Sequence, residues 1–369
     1  MTPRRRWSCV ALALALLVGL PLAVRAIPPR DSDITASALL EKIDGARDRS
    51  YAGYVETLGT LQLPVADRFT DVGQLFGERT RMRVWWRDED AWRVDKLLAT
   101  GELDLYHDGG GTTVWDYEQD KAERTRDPDI RLPRTSDLLP PQLAARLIQD
   151  VSRDTVKRLP VRRVAGVAAP GVRVSPGAVQ SSIDHVDIWA DAETGLALRV
   201  DVIAKGDTTT ALSSKFMAVS TRTPDEDTVI FQRPPGTEFV YDDTLDIADA
   251  ANQYAPFRPP RALAGLERSP SADRAVGIYG SGVTKLVAIP LWDRAAVPLR
   301  EQLEVTPGGE TLDEGIALRV GPLSVLLTRF DGYDGGWLLS GTVTEQTLVR
   351  AARNLDARFD QYVVSEGPR

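Results

Sequence analysis

The stretch that decides the fold class is RMRVWWRDEDAWRV, residues 81–94. Apolar and charged side chains alternate around the acidic turn Asp88-Glu89-Asp90, and Met82, Val84 and Trp86 fall on one face. Alternation with a period of two is typical of half-buried strands, and a tight turn makes consecutive strands antiparallel neighbours. The stretch therefore predicts a hairpin of an antiparallel sheet with one apolar face.

The same period recurs along the chain after this hairpin. Residues 103–105 and 113–117 continue it through a glycine-rich turn. Further strands are predicted at 183–190, 196–204 and 212–221. All are short and bounded by turn residues, which indicates a long series of antiparallel strands. One face of this sheet is predicted to be apolar and aromatic, and the other charged.

Two amphipathic segments interrupt the strands. Residues 33–50 are predicted as a helix that Thr35 caps, and residues 138–150 as a second helix with two prolines near its first turn. Because an amphipathic helix must bury its apolar side, we expect both to cover the concave side of a strongly curved antiparallel sheet. The predicted fold class is therefore α+β.

The patterning divides the chain into two unequal domains, as its length suggests. We predict an N-terminal domain over residues 33–242 and a smaller C-terminal α+β domain over residues 275–369. Prolines among Ala, Arg and Ser mark residues 243–274 as a linker.

The predicted C-terminal domain begins with strand-rich segments and closes on a helix. Thr344 is expected to cap that helix. Four apolar side chains are predicted to share its buried face: Leu348, Ala352, Leu355 and Phe359.

The N-terminus has the three-part layout of a secretory signal. Three arginines at positions 4–6 precede an apolar run over residues 8–24, and Ala26 provides a small residue for cleavage. The run is shorter than the ~20 residues of a spanning helix. We predict a signal peptide over residues 1–26 and an exported, periplasmic or otherwise extracytoplasmic protein. The alternative is an uncleaved segment that keeps the protein at the membrane.

Composition excludes several classes of function. The chain has a net charge of −8 with only one Cys and two His. Cys9 lies inside the predicted signal, so the mature chain has no thiol for disulfides or nucleophilic catalysis. An acidic chain without a lysine-rich tract is not expected to bind nucleic acid, because that affinity rests on neutralising phosphates.

Motifs for catalysis and metal binding are weak. His107 precedes Asp108 and three glycines, but the chain has no Gly-x-Ser-x-Gly elbow that an exported hydrolase of the lipase type would need. Two isolated histidines do not supply a zinc ligand set, and the acidic clusters lack the regular ladder of a calcium loop. We predict no catalytic residue, no metal and no cofactor, and a protein that binds rather than an enzyme.

Tryptophan is concentrated in the predicted N-terminal sheet, which holds five of the eight. Aromatic side chains on sheets commonly fill the core. The alternative is an apolar cavity between the sheet and its helices, which would accept a lipid chain or an apolar peptide. Its predicted lining is Met82, Val84, Trp86, Leu103, Leu105 and Trp115.

Particular segments resemble known families. Residues 164–176 and 186–200, with Phe231 and the Pro-Pro-Gly that follows it, resemble the lipoprotein-carrier (LolA-like) superfamily. Three segments and the closing helix of the second domain resemble the RseB/MucB family of exported sigma-factor regulatory proteins: residues 278–283, 323–327 and 337–344. Together the two resemblances cover nearly all of the mature chain.

The resemblance implies an incomplete barrel with helices in its mouth, and a membrane-anchored anti-sigma factor as the partner. The resulting hypothesis is a non-enzymatic exported sensor. Its N-terminal half-barrel would bind a lipid-like or peptide ligand, and the protein would bind an anti-sigma-factor-like membrane protein. The alternative is an extracytoplasmic lipid or lipoprotein carrier that uses the same cavity.

Overall fold

The computed structural model describes most of the chain. The described residues are 29–60, 76–127, 133–149, 155–241, 259–269, 275–329 and 336–356.

The N-terminal part is a mostly antiparallel sheet of twelve described strands in the order β12-β6-β5-β4-β3-β2-β1-β11-β10-β9-β8-β7. The strands are β1 (Tyr51–Gly59), β2 (Arg79–Asp88), β3 (Ala91–Leu97), β4 (Glu102–Asp108), β5 (Gly111–Asp116), β6 (Lys121–Thr125), β7 (Val156–Val164), β8 (Val167–Val174), β9 (Ile183–Ala190), β10 (Ala197–Ala204), β11 (Thr210–Ser220) and β12 (Glu238–Tyr241). Strand β12 is the exception, since it runs parallel to β6. The sheet is curved and does not close into a barrel.

Pairing register sorts the side chains of this sheet onto two faces. On one face, which we call the inner face, Val55 lies opposite Met82, and Val84 lies opposite Val94. On the other, the outer face, Asp187 lies opposite Asp201. Because side chains alternate along every strand, the register separates an apolar face from a face that carries the charges. The predicted division holds only in part, since Tyr106 and Trp115 lie on the outer face with the charged residues.

Two short helices lie on the inner face. Helix α1 (Ala36–Asp44) is capped by the Thr35 hydroxyl, which accepts from the Ala38 amide at 3.2 Å. Helix α2 (Pro140–Leu147) begins with its two prolines, directly after a 3-10 turn at Thr135–Leu138. Both helices are shorter than predicted. Helix α1 packs on β7 and β8, and helix α2 packs on β10 and β11. A third helix, α3 (Glu226–Val229), contacts β2 and β3.

A second, six-stranded antiparallel sheet has the order β15-β16-β20-β19-β18-β17. Its elements are β15 (Gly277–Ser281), β16 (Thr284–Leu291), α4 (Asp293–Val305), β17 (Gly309–Leu312), β18 (Gly315–Val320), β19 (Leu323–Thr328), β20 (Gly336–Gly341) and α5 (Glu345–Asp356). Thr344 caps α5 through the Thr347 amide, and Leu348, Ala352 and Leu355 are buried on its packed side. Helix α4 was not predicted from the sequence. It contains Pro298, a residue that normally indicates the end of a helix rather than its interior.

Part of the predicted linker is folded onto this second sheet. A hairpin of β13 (Ala262–Leu263) and β14 (Leu266–Glu267) buries Leu263 and Leu266 in the C-terminal core. The Tyr279 hydroxyl donates to the Pro260 carbonyl at 2.9 Å, which ties the start of the hairpin to β15.

The two sheets touch through short segments of backbone. Ser181 and Val343 form an antiparallel bridge. The Ser182 amide donates to Thr342 at 3.1 Å, and the Thr344 amide donates to Gln180 at 2.8 Å. The loop before β9 is therefore hydrogen-bonded to the loop before α5.

Three predictions fall on residues outside the described part of the chain. These are the signal peptide at 1–26, the linker segments 243–258 and 270–274, and the position of Phe359.

Substitutions in the β9–β10 turn test whether α1 packs against that turn. Gly195 has φ +77°, and a Cβ there would lie 2.2 Å from the Lys42 carbonyl oxygen at the end of α1. Gly206, in the β10–β11 turn, has φ +83° but nothing within 4 Å of such a Cβ. Gly206→Ala should cost about 1–2 kcal/mol of unfolding free energy, from its backbone conformation alone. Gly195→Ala should cost at least about 1 kcal/mol more, because α1 must move.

Urea unfolding of the two variants measures this difference. Equal losses of stability in Gly195→Ala and Gly206→Ala would show that α1 does not rest on the turn.

Candidate functional site

Five of the six predicted cavity residues share the inner face. Met82 and Val84 on β2 are 0% exposed, Trp86 is 5% exposed and Leu105 on β4 is 7% exposed. Leu103 lies on the same face and is half-buried. Four of these side chains are thus enclosed by protein, and a ligand reaches them only if the covering residues move.

Trp115, the sixth predicted residue, lies on the outer face. It is paired with Asp104, while its neighbour Val114 is paired with Leu105 on the inner face. Because successive side chains of a strand point to opposite faces, β5 cannot place both Val114 and Trp115 inside. The structure therefore does not bring Trp115 together with the other five.

A row of stacked rings crosses the inner face from β1 to β4. Tyr51 and Trp86 are stacked with centroids 6.0 Å apart, and Trp86 and Trp92 with centroids 5.5 Å apart. Trp92 in turn stacks on His107 at 5.0 Å. We call these four residues the aromatic ladder. Each pair is also a directly opposed cross-strand pair, the arrangement in which aromatic side chains stabilise a sheet most.

The aromatic ladder ends in a polar group of side chains. His107 Nδ1 lies 3.1 Å from Thr112 Oγ1, and that hydroxyl donates to Asp127 at 3.0 Å. Arg134 forms an ion pair with Asp127. Burial lowers the pKa of His107, more than the nearby carboxylates raise it. Burial also raises the pKa of Asp127, but the hydrogen bond and charge of Arg134 outweigh it and lower that pKa overall.

The helical cover is attached to the aromatic ladder at its other end. The buried Tyr51 hydroxyl donates to Gln142 Oε1 in α2 at 2.9 Å. Leu139, which precedes α2, is 0% exposed and belongs to the same core cluster as Tyr51 and Met82. A shift of α2 would therefore disturb the aromatic ladder directly.

The outer face carries a cluster of three carboxylates, two of them buried, on the strands that also hold Trp92 and His107. Asp95 on β3 lies directly opposite Asp104 on β4, and both are 0% exposed. Glu102 completes the group, whose oxygen atoms lie within 4.8 Å of one another. We call these three residues the outer acidic cluster.

Two arginines supply the positive charge at this cluster. Arg93 donates to Asp95 at 2.6 Å and to Asp104 at 2.9 Å. Arg83 lies 3.3 Å from Asp95 and pairs with Glu102. Such oxygen spacing also suits a hard cation, but here the guanidinium groups occupy the charged positions around the carboxylates.

The cluster raises the pKa values of its central carboxyl groups. Burial, followed by the charge of Asp95, raises the pKa of Asp104 to about 7 in spite of Arg93. Burial also raises the pKa of Asp95, against the hydrogen bond from Arg93. The Asp104 Oδ1 atom accepts no hydrogen bond from the described residues, which favours its protonated form.

The sequence prediction missed Tyr51, Trp92 and His107 as members of the inner-face stack. Their position relative to the predicted turn could have revealed them, because Trp92 pairs with Trp86 across the turn at residues 88–90. The outer acidic cluster was also missed. Its signal was the charge at every second position in Arg93-Val94-Asp95, matched by Asp104 on the next strand.

The fold defines a class of protein before any comparison. It is an open, curved, mostly antiparallel sheet with two helices on its inner face, followed by a second antiparallel sheet. No protein-family model matches the chain, and no curated protein sequence matches it.

Solved structures of two kinds are similar to the chain. The MucA/MucB complex of Pseudomonas aeruginosa has 20% identity over 86% of this chain and 96% of that chain, with a TM-score of 0.46. A crystal structure of MucB has 16% identity over 86% and 96%, with a TM-score of 0.45. A LolA superfamily protein from Nitrosomonas europaea has 10% identity over 54% and 98%, with a TM-score of 0.26. The chain is thus similar to MucB and LolA-superfamily proteins, in line with the resemblance in its sequence.

Within the described residues, none of the helices is both long enough and apolar enough to span a membrane.

The raised pKa of Asp104 predicts a particular pH dependence of stability. Between about pH 4 and about pH 7 the folded state keeps a proton on Asp104 that the unfolded state releases. The contribution of Asp104 to the free energy of unfolding should therefore fall through this window, by up to about 1.4 kcal/mol per pH unit, and level off above it. Asp104→Asn should remove this slope, as measured by urea unfolding from about pH 5 to about pH 8.

Asp201→Asn is the matched control. Asp201 is also buried on the outer face and pairs with Arg199 at 2.8 Å. This variant should be less stable than the wild type yet keep the slope. A slope that persists in Asp104→Asn would contradict a shared proton at the outer acidic cluster.

Proposed function

We propose that the chain is an exported, non-enzymatic regulatory protein that binds an apolar ligand on the inner face of its N-terminal sheet. The mature protein would also bind a membrane-anchored partner of the anti-sigma-factor type. The alternative is an extracytoplasmic carrier of lipids or lipoproteins that uses the same face.

The ligand proposal rests on one observation: the two helices cover the inner face at one end of the sheet and not at the other. Helices α1 and α2 pack on β8, β10 and β11, at one end of the sheet. At β4 the half-buried Leu103 continues the apolar surface beyond the buried Leu105, and Leu98 nearby is 42% exposed. An apolar chain could enter at this end and reach the aromatic ladder by moving α2 rather than the strands.

The partner proposal rests on the resemblance carried by residues 278–283, 323–327 and 337–344. These residues belong to β15–β16, β19 and β20, which lie in the second sheet. This sheet contacts the first one through backbone hydrogen bonds at residues 180–182. Side chains extend the contact: Ser182 donates to the Pro322 carbonyl, Arg319 donates to the Lys205 carbonyl, and Ala211 of β11 packs in one apolar cluster with residues of β18. In this proposal, ligand binding near α2 acts on the partner through the contact between the two sheets, by favouring one of two states of the protein.

The inner-face site is tested with a fluorescent polyene fatty acid excited by energy transfer from tryptophan. Leu103→Gln should weaken binding about tenfold or more, since burying a leucine side chain is worth about 1.5–3 kcal/mol. Leu58→Gln is the control, because Leu58 is 42% exposed on the outer face of β1. Equal affinities of the two variants would place the fatty acid elsewhere.

The partner is tested by capture with the purified mature chain from detergent-solubilised membranes. The expected result is enrichment of one single-span protein whose extracytoplasmic part alone binds the purified chain. Failure to recover such a protein contradicts the regulatory proposal. Abundant acyl lipid in an organic extract of the purified protein, with no protein partner, would favour the carrier.

A further inference from the structure

A second apolar site lies on the outer face, away from the ligand site proposed above. A cavity of about 340 Å³ opens between strands β4–β6 and the segment that runs from α3 to β12. Its volume falls within the roughly 300–1,000 Å³ range of small-ligand pockets. None of the six predicted cavity residues lines it, and His107, at the end of the aromatic ladder, is the member of that ladder that does.

Aromatic side chains form a continuous wall of this cavity, which we call the outer pocket. Tyr106 and Phe231 have centroids 5.3 Å apart, Phe231 and Phe239 6.2 Å apart, and Phe239 and Tyr241 5.1 Å apart. Tyr241 is 78% exposed and Ile230 is 48% exposed. Large apolar side chains exposed beside a concave aromatic wall are typical of a binding site rather than of a filled core.

Two arginines lie at the rim of the outer pocket, and they differ in their hydrogen-bond partners. Arg124 is neutralised, since it pairs with Asp108 and also donates to Thr113 at 3.1 Å. Arg233 donates instead to a backbone carbonyl, that of Thr237, at 2.6 Å and 3.1 Å. Arg233 is exposed, and no carboxylate of the described residues forms an ion pair with it.

Arg233 also lies against the aromatic wall. Its guanidinium group is 5.4 Å from the centroid of Phe239. The ring and the Thr237 carbonyl hold the guanidinium at the mouth of the pocket, where an anion can pair with it directly. The outer pocket thus combines an apolar wall with one fixed positive charge.

We infer that the outer pocket binds a single small anionic amphiphile, with its apolar body against Tyr106, Phe231 and Phe239 and its acidic group at Arg233. A cavity of about 340 Å³ has room for one small molecule, so the proposed ligand is a dissolved monomer rather than a membrane surface. This site goes beyond the proposed function, and it does not require the inner face to bind anything.

Binding is measured with anilinonaphthalene sulfonate, an aromatic anion whose fluorescence rises in apolar surroundings. Tyr241→Ser and Ile230→Ser should each weaken binding several-fold, by about 3- to 10-fold for the apolar area lost. Arg233→Gln should weaken it about threefold to fivefold at low salt, and the effect should shrink at high salt because exposed charges are screened. Decanoate should displace the probe, and the uncharged decanol should displace it far less well.

Matched controls keep the test specific. Tyr117→Ser removes a tyrosine that is 60% exposed outside the pocket, and Arg222→Gln removes an exposed arginine outside it. Both controls should bind the probe like the wild type. All variants should have the wild-type urea midpoint, because every altered side chain is at least partly exposed.

Three results would overturn the inference. One is unchanged probe affinity in Tyr241→Ser and Ile230→Ser. Another is equal displacement by decanol and decanoate, which would remove the role of Arg233. The last is binding to phosphatidylglycerol vesicles without any binding of the monomeric probe, which would assign the surface to a membrane instead.

Discussion

The structure depends on the register of the hairpin between β2 and β3. Trp86 and Trp92 stack there as directly opposed partners, and Tyr51 and His107 extend the stack to the neighbouring strands. A slip of one residue would turn a strand's inner side chains outward, so burial of this stack permits only one register. The position of α2 follows from it, because Tyr51 hydrogen-bonds to Gln142.

The same register places charges together on the opposite face. Once Val94 and Leu105 are paired inside, Asp95 and Asp104 are necessarily paired outside. Like charges that face each other across strands destabilise a sheet. Arg93 offsets much of this by donating to both carboxylates, and the raised pKa of Asp104 allows a proton to offset the rest. The outer acidic cluster is thus a consequence of the aromatic ladder.

The two faces of the sheet also separate two kinds of apolar surface. On the inner face most of the apolar side chains are buried, and the ligand site proposed there requires α2 to move. On the outer face the segment that ends in β12 brings Phe231 and Phe239 back over β4–β6 and leaves the outer pocket open. The inner site suits a sensor that changes shape, whereas the outer pocket is already formed.

The sequence by itself determined the features that depend on neighbouring residues. Alternation at residues 81–94 indicated antiparallel strands, and Thr35 and Thr344 cap helices as predicted, because period and capping are local properties. Only the tertiary structure decided the outward position of Trp115, the return of β12 to β6, and the hairpin at 262–267 within the predicted linker. These depend on which distant strands pair and in which register, and no short window of sequence contains that information.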